Sequence, residues 1–179
     1  MHDHTSLLFP WLAMVGAMLA MDHLARIHIA EDLARAGALR AARTVAAGLD
    51  AEGRVKSGVM ERSRAQAALA LLPLVPDDGP RTGIDPALRR AASRLAADSG
   101  IRLGGDLSQA VARVAVRVQL DGRLVRDGTR IAPGSRLDVT VGYLHDLRPD
   151  PVAWVFADAL SASPERVIAG KTAMLVGGT

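Results

Sequence analysis

The chain has 179 residues, with 22 Lys and Arg against 19 Asp and Glu, a formal charge of +3 and a sequence pI of about 10.1. That length allows one ordinary domain plus an appendage. Basic and acidic residues interleave and only two Trp, two Phe and one Tyr are present, which excludes the clustered basic face with stacking aromatics of a nucleic-acid binder. The absence of cysteine excludes disulfides, thiolate metal sites and thiol nucleophiles. A core must be built from small and branched aliphatics, which favours helix packing and a small sheet over a deep ligand cavity.

Leu7 to Met21 is an apolar run of fifteen residues with no charge. A membrane span takes about 20 apolar residues and a signal-peptide core about 7 to 15, so length alone leaves three readings. A cleavable signal would want a basic start, yet Met1 to Ser6 carries Asp3 and two histidines. A buried helix of a soluble protein would need cover on every side, because Trp11, Leu12, Met14, Val15, Met18 and Leu19 point all round the helix. A membrane anchor asks for neither. From Met21 the pattern becomes one-sided: Leu24, Ile27, Ala34, Ala38, Ala41, Val45 and Leu49 recur at helical spacing, with Arg26, Asp32, Arg35, Arg40 and Arg43 between them. Gly37 is the one helix-weakening residue in this stretch, at roughly 1 kcal/mol against Ala. One continuous helix, part in lipid and part out, is the simplest expectation.

Gly48, Gly53 and Gly58 punctuate a link. Val59 to Leu72 then reads as a second helix with Arg62, Arg64 and Gln66 outward, and Pro73 to Pro80 as a loop. Asp85 and Pro86 signal the start of a third helix that runs to Gly100. From Gln109 the period switches to two: Val114, Val116, Val118 and Leu120 alternate with Arg113, Arg117 and Gln119. Asp121-Gly122 and Asp127-Gly128 are hairpin dipeptides, Pro133-Gly134-Ser135 turns again, and Leu137, Val139, Val141 and Tyr143 repeat the alternation. A helical turn over Val152 to Leu160 and a last strand over Val167 to Val176 complete an antiparallel set. The expected class is α+β, divided as 1–50 anchor and stalk, 51–105 helical linker and 106–179 β domain.

The order of these pieces resembles the TadE/TadG-like minor pseudopilins of the Tad (Flp) pilus assembly system. The likeness is carried by Leu8-Phe9-Pro10 entering the apolar run, by the alanine-rich stalk Asp32 to Ala42 with Gly37-Ala38 at its centre, and by the terminal strands Leu137 to Tyr143 and Ala169 to Val176. It implies a single-pass inner-membrane protein with an extracytoplasmic C-terminal domain, no catalysis, no cofactor, and pilin or pseudopilin subunits as partners. The family's basic leader is not visible ahead of the apolar run, and His4 stands about where its early glutamate would fall. With all Lys and Arg following the anchor, the positive-inside tendency alone would put the domain in the cytoplasm; a basic leader ahead of Met1 would reverse that.

Small residues let helices approach closely in lipid, where packing rather than the hydrophobic effect drives association. Ala13, Gly16, Ala17 and Ala20 provide such a face, and Pro10, Gly16, Ala20 and Gly37 are the candidate packing residues. Gly170-Lys171-Thr172 lacks the earlier glycine of a phosphate loop, that position being Glu165. His2, Asp3 and His4 are possible metal ligands at a polar terminus. Asp22, His23, His28 and Glu31 mark where the helix leaves the hydrocarbon, with Asp22 one turn from Arg26 and His28 one turn from Asp32. No Ser, His and acid set has a recognisable spacing. The rival expectations are a membrane-anchored sensor or peptide-binding module, and a soluble enzyme with a buried N-terminal helix.

Overall fold

The computed structural model describes residues 5–74, 107–146 and 165–177. The helix expected from Asp85 to Gly100, the turn at Val152 to Leu160 and the His2-Asp3-His4 cluster lie outside those residues. The chain forms two compact units: Met1–Ile29 with Asp146–Arg166, and Ala30–His145 with Val167–Thr179. The boundary between them falls within a helix.

That helix, α1, runs without interruption over Thr5–Ala47, 43 residues, or about 65 Å at 1.5 Å per residue. In the second unit its inward stripe is almost free of side-chain bulk: Ala30, Ala34, Ala38, Ala41, Ala42 and Val45 are all fully buried. Their spacing of three and four residues keeps them on one face, while Asp32 and Arg35 form an ion pair at 3.1 Å on the exposed side. Such a stripe buries few methylenes, so its contribution depends on how near other elements can come.

Helix α2, Val59–Leu71, exploits that nearness. A Cβ placed on Gly37 would lie 3.1 Å from the Ala67 carbonyl oxygen, so the glycine that weakens α1 locally admits the α2 backbone. Ser63 is fully buried, and its hydroxyl donates to the Met60 carbonyl at 2.7 Å, as a buried polar group requires. Arg62 is exposed as expected, but Arg64 is half-buried and its Nε donates to the Val114 carbonyl at 2.7 Å. It tethers α2 to the start of the sheet rather than pointing to water.

A short helix α3, Leu107–Arg113, precedes strand β1, Val114–Leu120. The strand period expected from Gln109 therefore begins five residues late, and Arg113 closes a helix instead of alternating in a strand. Ala110 and Val111, adjacent in sequence, are both buried, which a strand with one wet face cannot achieve. The rest of the sheet is β2, Arg123–Leu124, β3, Arg136–Asp146, and β4, Glu165–Leu175. The spatial order is β2-β1-β3-β4, and the sheet is antiparallel.

Asp121 and Gly122 take φ of 49° and 79°, the two left-handed residues that a tight hairpin between Leu120 and Arg123 requires. Val114 pairs with Tyr143, Val118 with Val139 and Leu120 with Leu137, so one face carries Val114, Val118, Leu137, Val139, Val141 and Tyr143 into the core. The Tyr143 hydroxyl reaches the Leu74 carbonyl at 3.0 Å.

Asp127-Gly128 makes a turn, closed by Thr129 N donating to Arg126 O at 3.0 Å, but no hairpin of two strands. The turn is laced instead to the α1–α2 link: Gly128 N donates to Val55 O at 2.7 Å, Val55 N to Thr129 O at 3.0 Å and Ile131 N to Gly53 O at 2.8 Å. The Asp127 carboxylate accepts from Gly58 N at 2.7 Å and Met60 N at 3.4 Å. Gly58, which precedes α2, has no side chain to cap with, so a residue remote in sequence supplies the capping oxygen. On the same link, the Asp50 carboxylate accepts from Arg54 N at 2.7 Å and Glu52 N at 2.9 Å. Those bonds, the Arg54 amide first, hold its carboxyl below the usual carboxylate range.

The closest approach is at Gly170 in β4. A Cβ built there would overlap the backbone of α1 at Ala34 and Arg35. Gly170→Ala should therefore lower the unfolding midpoint by the equivalent of about 1–3 kcal/mol, the usual cost of overpacking; an unchanged melt of the detergent-solubilised chain would contradict this contact. Asp127→Ala should cost about 1 kcal/mol by uncapping α2, read in the same denaturation series.

Candidate functional site

The first unit contributes α1 up to Ile29, and its side chains are distributed unlike those of the second. Phe9 is 79% exposed, Trp11 61% and Met21 72%, and Leu12, Met14, Met18, Leu19 and Leu24 are exposed as well. Fully burying one such side chain is worth about 1.5–3 kcal/mol. Left in water, the group would forfeit on the order of 10 kcal/mol, comparable to the whole stability of an ordinary domain. One helix of the described residues is long and apolar enough to cross a membrane, with an 18-residue window of mean hydropathy 1.3, none of it buried in the protein.

The open segment has two distinct faces. Ala13, Gly16, Ala17 and Ala20 recur at i, i+3, i+4 and i+7 and form one stripe. Trp11, Met14, Val15 and Met18 recur with the same spacing two residues earlier, a rotation of about 200°, so they occupy the opposite side, and with Leu12 and Leu19 they cover about half of the helix rather than all of it as expected from sequence. No atom lies within 4 Å of a Cβ built on Gly16. The small-residue stripe is thus flat and open. Beyond it, Asp22 and Arg26 pair at 2.8 Å across one turn, both more than half exposed, which is the i, i+4 pair read from sequence.

Of the four candidate packing residues, Gly16 and Ala20 share the small face, and Ala20 is half-exposed. Pro10 sits inside the helix, exposed, about 120° round from Gly16. Gly37 is placed differently: it is buried, and the helix it meets is the chain's own α2. Helical spacing shows that Gly37 is a contact position without showing which helix it contacts.

Other chemistry finds little support in the geometry. A hollow of about 770 Å³ at the C-terminal end of α1 is lined by Leu49, Asp50, Glu52, Gly53, Arg130 and Pro133. Its carboxylates are engaged locally: Asp50 with two backbone amides, and Glu52 with Arg54 at 3.3 Å. Among the described residues no three His, Cys, Asp or Glu side chains gather as a metal site would need. Gly170-Lys171-Thr172 lies within β4 with Gly170 against α1, so its amides form no phosphate cradle.

No family model, curated protein or solved structure matches this chain.

The open segment makes a direct prediction. With Trp154 replaced by Phe, Trp11 in reconstituted vesicles should be quenched strongly by brominated acyl chains and weakly by aqueous iodide. The reverse order would place that side chain in water.

Proposed function

We propose that this chain is a non-catalytic, minor-pseudopilin-like assembly component, anchored in the inner membrane by α1 and associating with other subunits through the small-residue face of that helix. The observation that carries the reading is the division of labour along one continuous helix. From Phe9 to Leu24 most of its large apolar side chains are exposed, whereas Ile27 is already buried and from Ala30 its stripe is closed against a folded α+β unit. A subunit with this construction keeps its anchor solvated by lipid while stored, and exchanges lipid neighbours for helices of fellow subunits on assembly. Since lipid tails are as apolar as leucine, the exchange is driven by close packing, for which Ala13, Gly16, Ala17 and Ala20 are suited.

The reading places the second unit outside the cytoplasm, where its sheet is available to partners. It assigns the chain to a Tad/Flp-type pilus system or a related secretion machine, on the likeness of the stalk and terminal strands described above.

The lack of native cysteine makes the test clean. In membranes, an Ala17→Cys variant should form disulfide-linked pairs, and a second change, Gly16→Leu, should reduce them about tenfold, the effect of about 1.4 kcal/mol. Val15→Cys, on the opposite side, should crosslink poorly. Equal crosslinking from both faces, indifferent to Gly16→Leu, would refute the packing face.

A further inference from the structure

Among the described residues, the core does not use the outer face of the sheet, and the composition of that face is specific. Strand alternation turns Ala115 and Arg117 of β1, Thr140 and Gly142 of β3, and Val167, Ala169, Lys171, Ala173 and Leu175 of β4 away from the buried side. Val167 is 67% exposed and Leu175 69%.

Two shallow hollows cross this face. One of about 480 Å³ is lined by Ala115, Arg117, Leu124, Gly142 and Ala169, and the other, of about 430 Å³, by Gln119, Asp138, Lys171 and Ala173. Thr140 lines both, so they meet at the strand position where Arg117 is its cross-strand partner. Gly142, paired with Ala115, keeps the floor low.

The charge of the trough is mostly positive. Among the described residues, Arg117, Arg126, Arg136 and Lys171 line it against a single carboxylate, Asp138, which is engaged by Arg136 at 3.0 Å. Among the described residues, Arg117, Arg126 and Lys171 have no carboxylate partner. A trough with a low apolar floor and cations along it suits an extended chain with small apolar side chains alternating with carboxylates.

We propose that the outer face of the sheet, centred on Thr140 between Arg117 and Lys171, docks an extended acidic segment of a protein partner. This goes beyond the assembly role of α1 and does not depend on what that helix packs against.

The test uses the full chain in discs of zwitterionic lipid and a fluorescent peptide of alternating Val and Glu as probe. Binding should be saturable, weaken as salt rises, and fall about tenfold or more in the double variant Arg117→Glu, Lys171→Glu. An unchanged melting midpoint of that variant would show that the fold is intact, since both side chains are exposed. Hydrogen exchange should show protection of β3 and β4 when the peptide is bound. Absence of binding, or binding equal in wild type and the double variant, overturns the proposal. So does protection of this face by discs of anionic lipid without peptide, which would assign the cations to a lipid surface.

Discussion

The distance at which backbones meet governs the folded unit. Its central helix offers mainly alanine methyl groups and one glycine to the interior, with Val45 the one larger side chain of the stripe, and a methyl group alone buries little area. The stripe can hold a fold together only if neighbouring elements approach until backbone touches backbone. They do so twice, with α2 crossing at Gly37 and β4 crossing at Gly170, where there is no room for a Cβ against Ala34 and Arg35. Larger apolar volume then comes from the other side, from Tyr143, Leu71, Ile131, Leu137 and a group of valines. The core is a thin helix face pressed into a thicker sheet face, and this is how a chain with so few aromatics closes an interior.

The same economy of side chains has opposite meanings along α1. From Ala30 onward, small residues are buried because the protein's own elements come close. Before Ile29, small residues alternate round the helix with large exposed ones, and no part of the hydrophobic window is covered by protein. On the membrane role proposed for it, a span that meets helices in lipid benefits from a flat side, since packing there cannot rely on the expulsion of water. One helix can thus serve two solvents with one residue vocabulary.

Much of the architecture was legible because periodicity reports which side of an element is wet. The alternation of Val114 to Leu120 and Leu137 to Tyr143 placed their inner faces, Asp121-Gly122 placed a hairpin, and the spacing from Ala34 to Val45 placed the stalk's buried stripe. What was missed depends on the partner rather than the pattern. Gln109 to Arg113 is a short apolar run between two polar residues that a strand and a short helix accommodate equally, and burial of Ala110 beside Val111 decided for the helix. Arg64 looked like a solvated residue because nothing local shows that its guanidinium reaches the first strand. Gly37 was legible as a contact, but not as an internal one. The outer trough is a product of sheet order, and no stretch of sequence brings Arg117, Thr140 and Lys171 together.

The cap on α2 has a consequence for biosynthesis. The carboxylate that completes this helix, on Asp127, lies 69 residues downstream of the amide it receives from Gly58. As the ribosome releases the chain from its N-terminus, α1 emerges first and carries everything it needs to be helical, whereas the beginning of α2 waits for the segment after the first hairpin. Closure of the second unit then has a late step that joins its early and late halves at once.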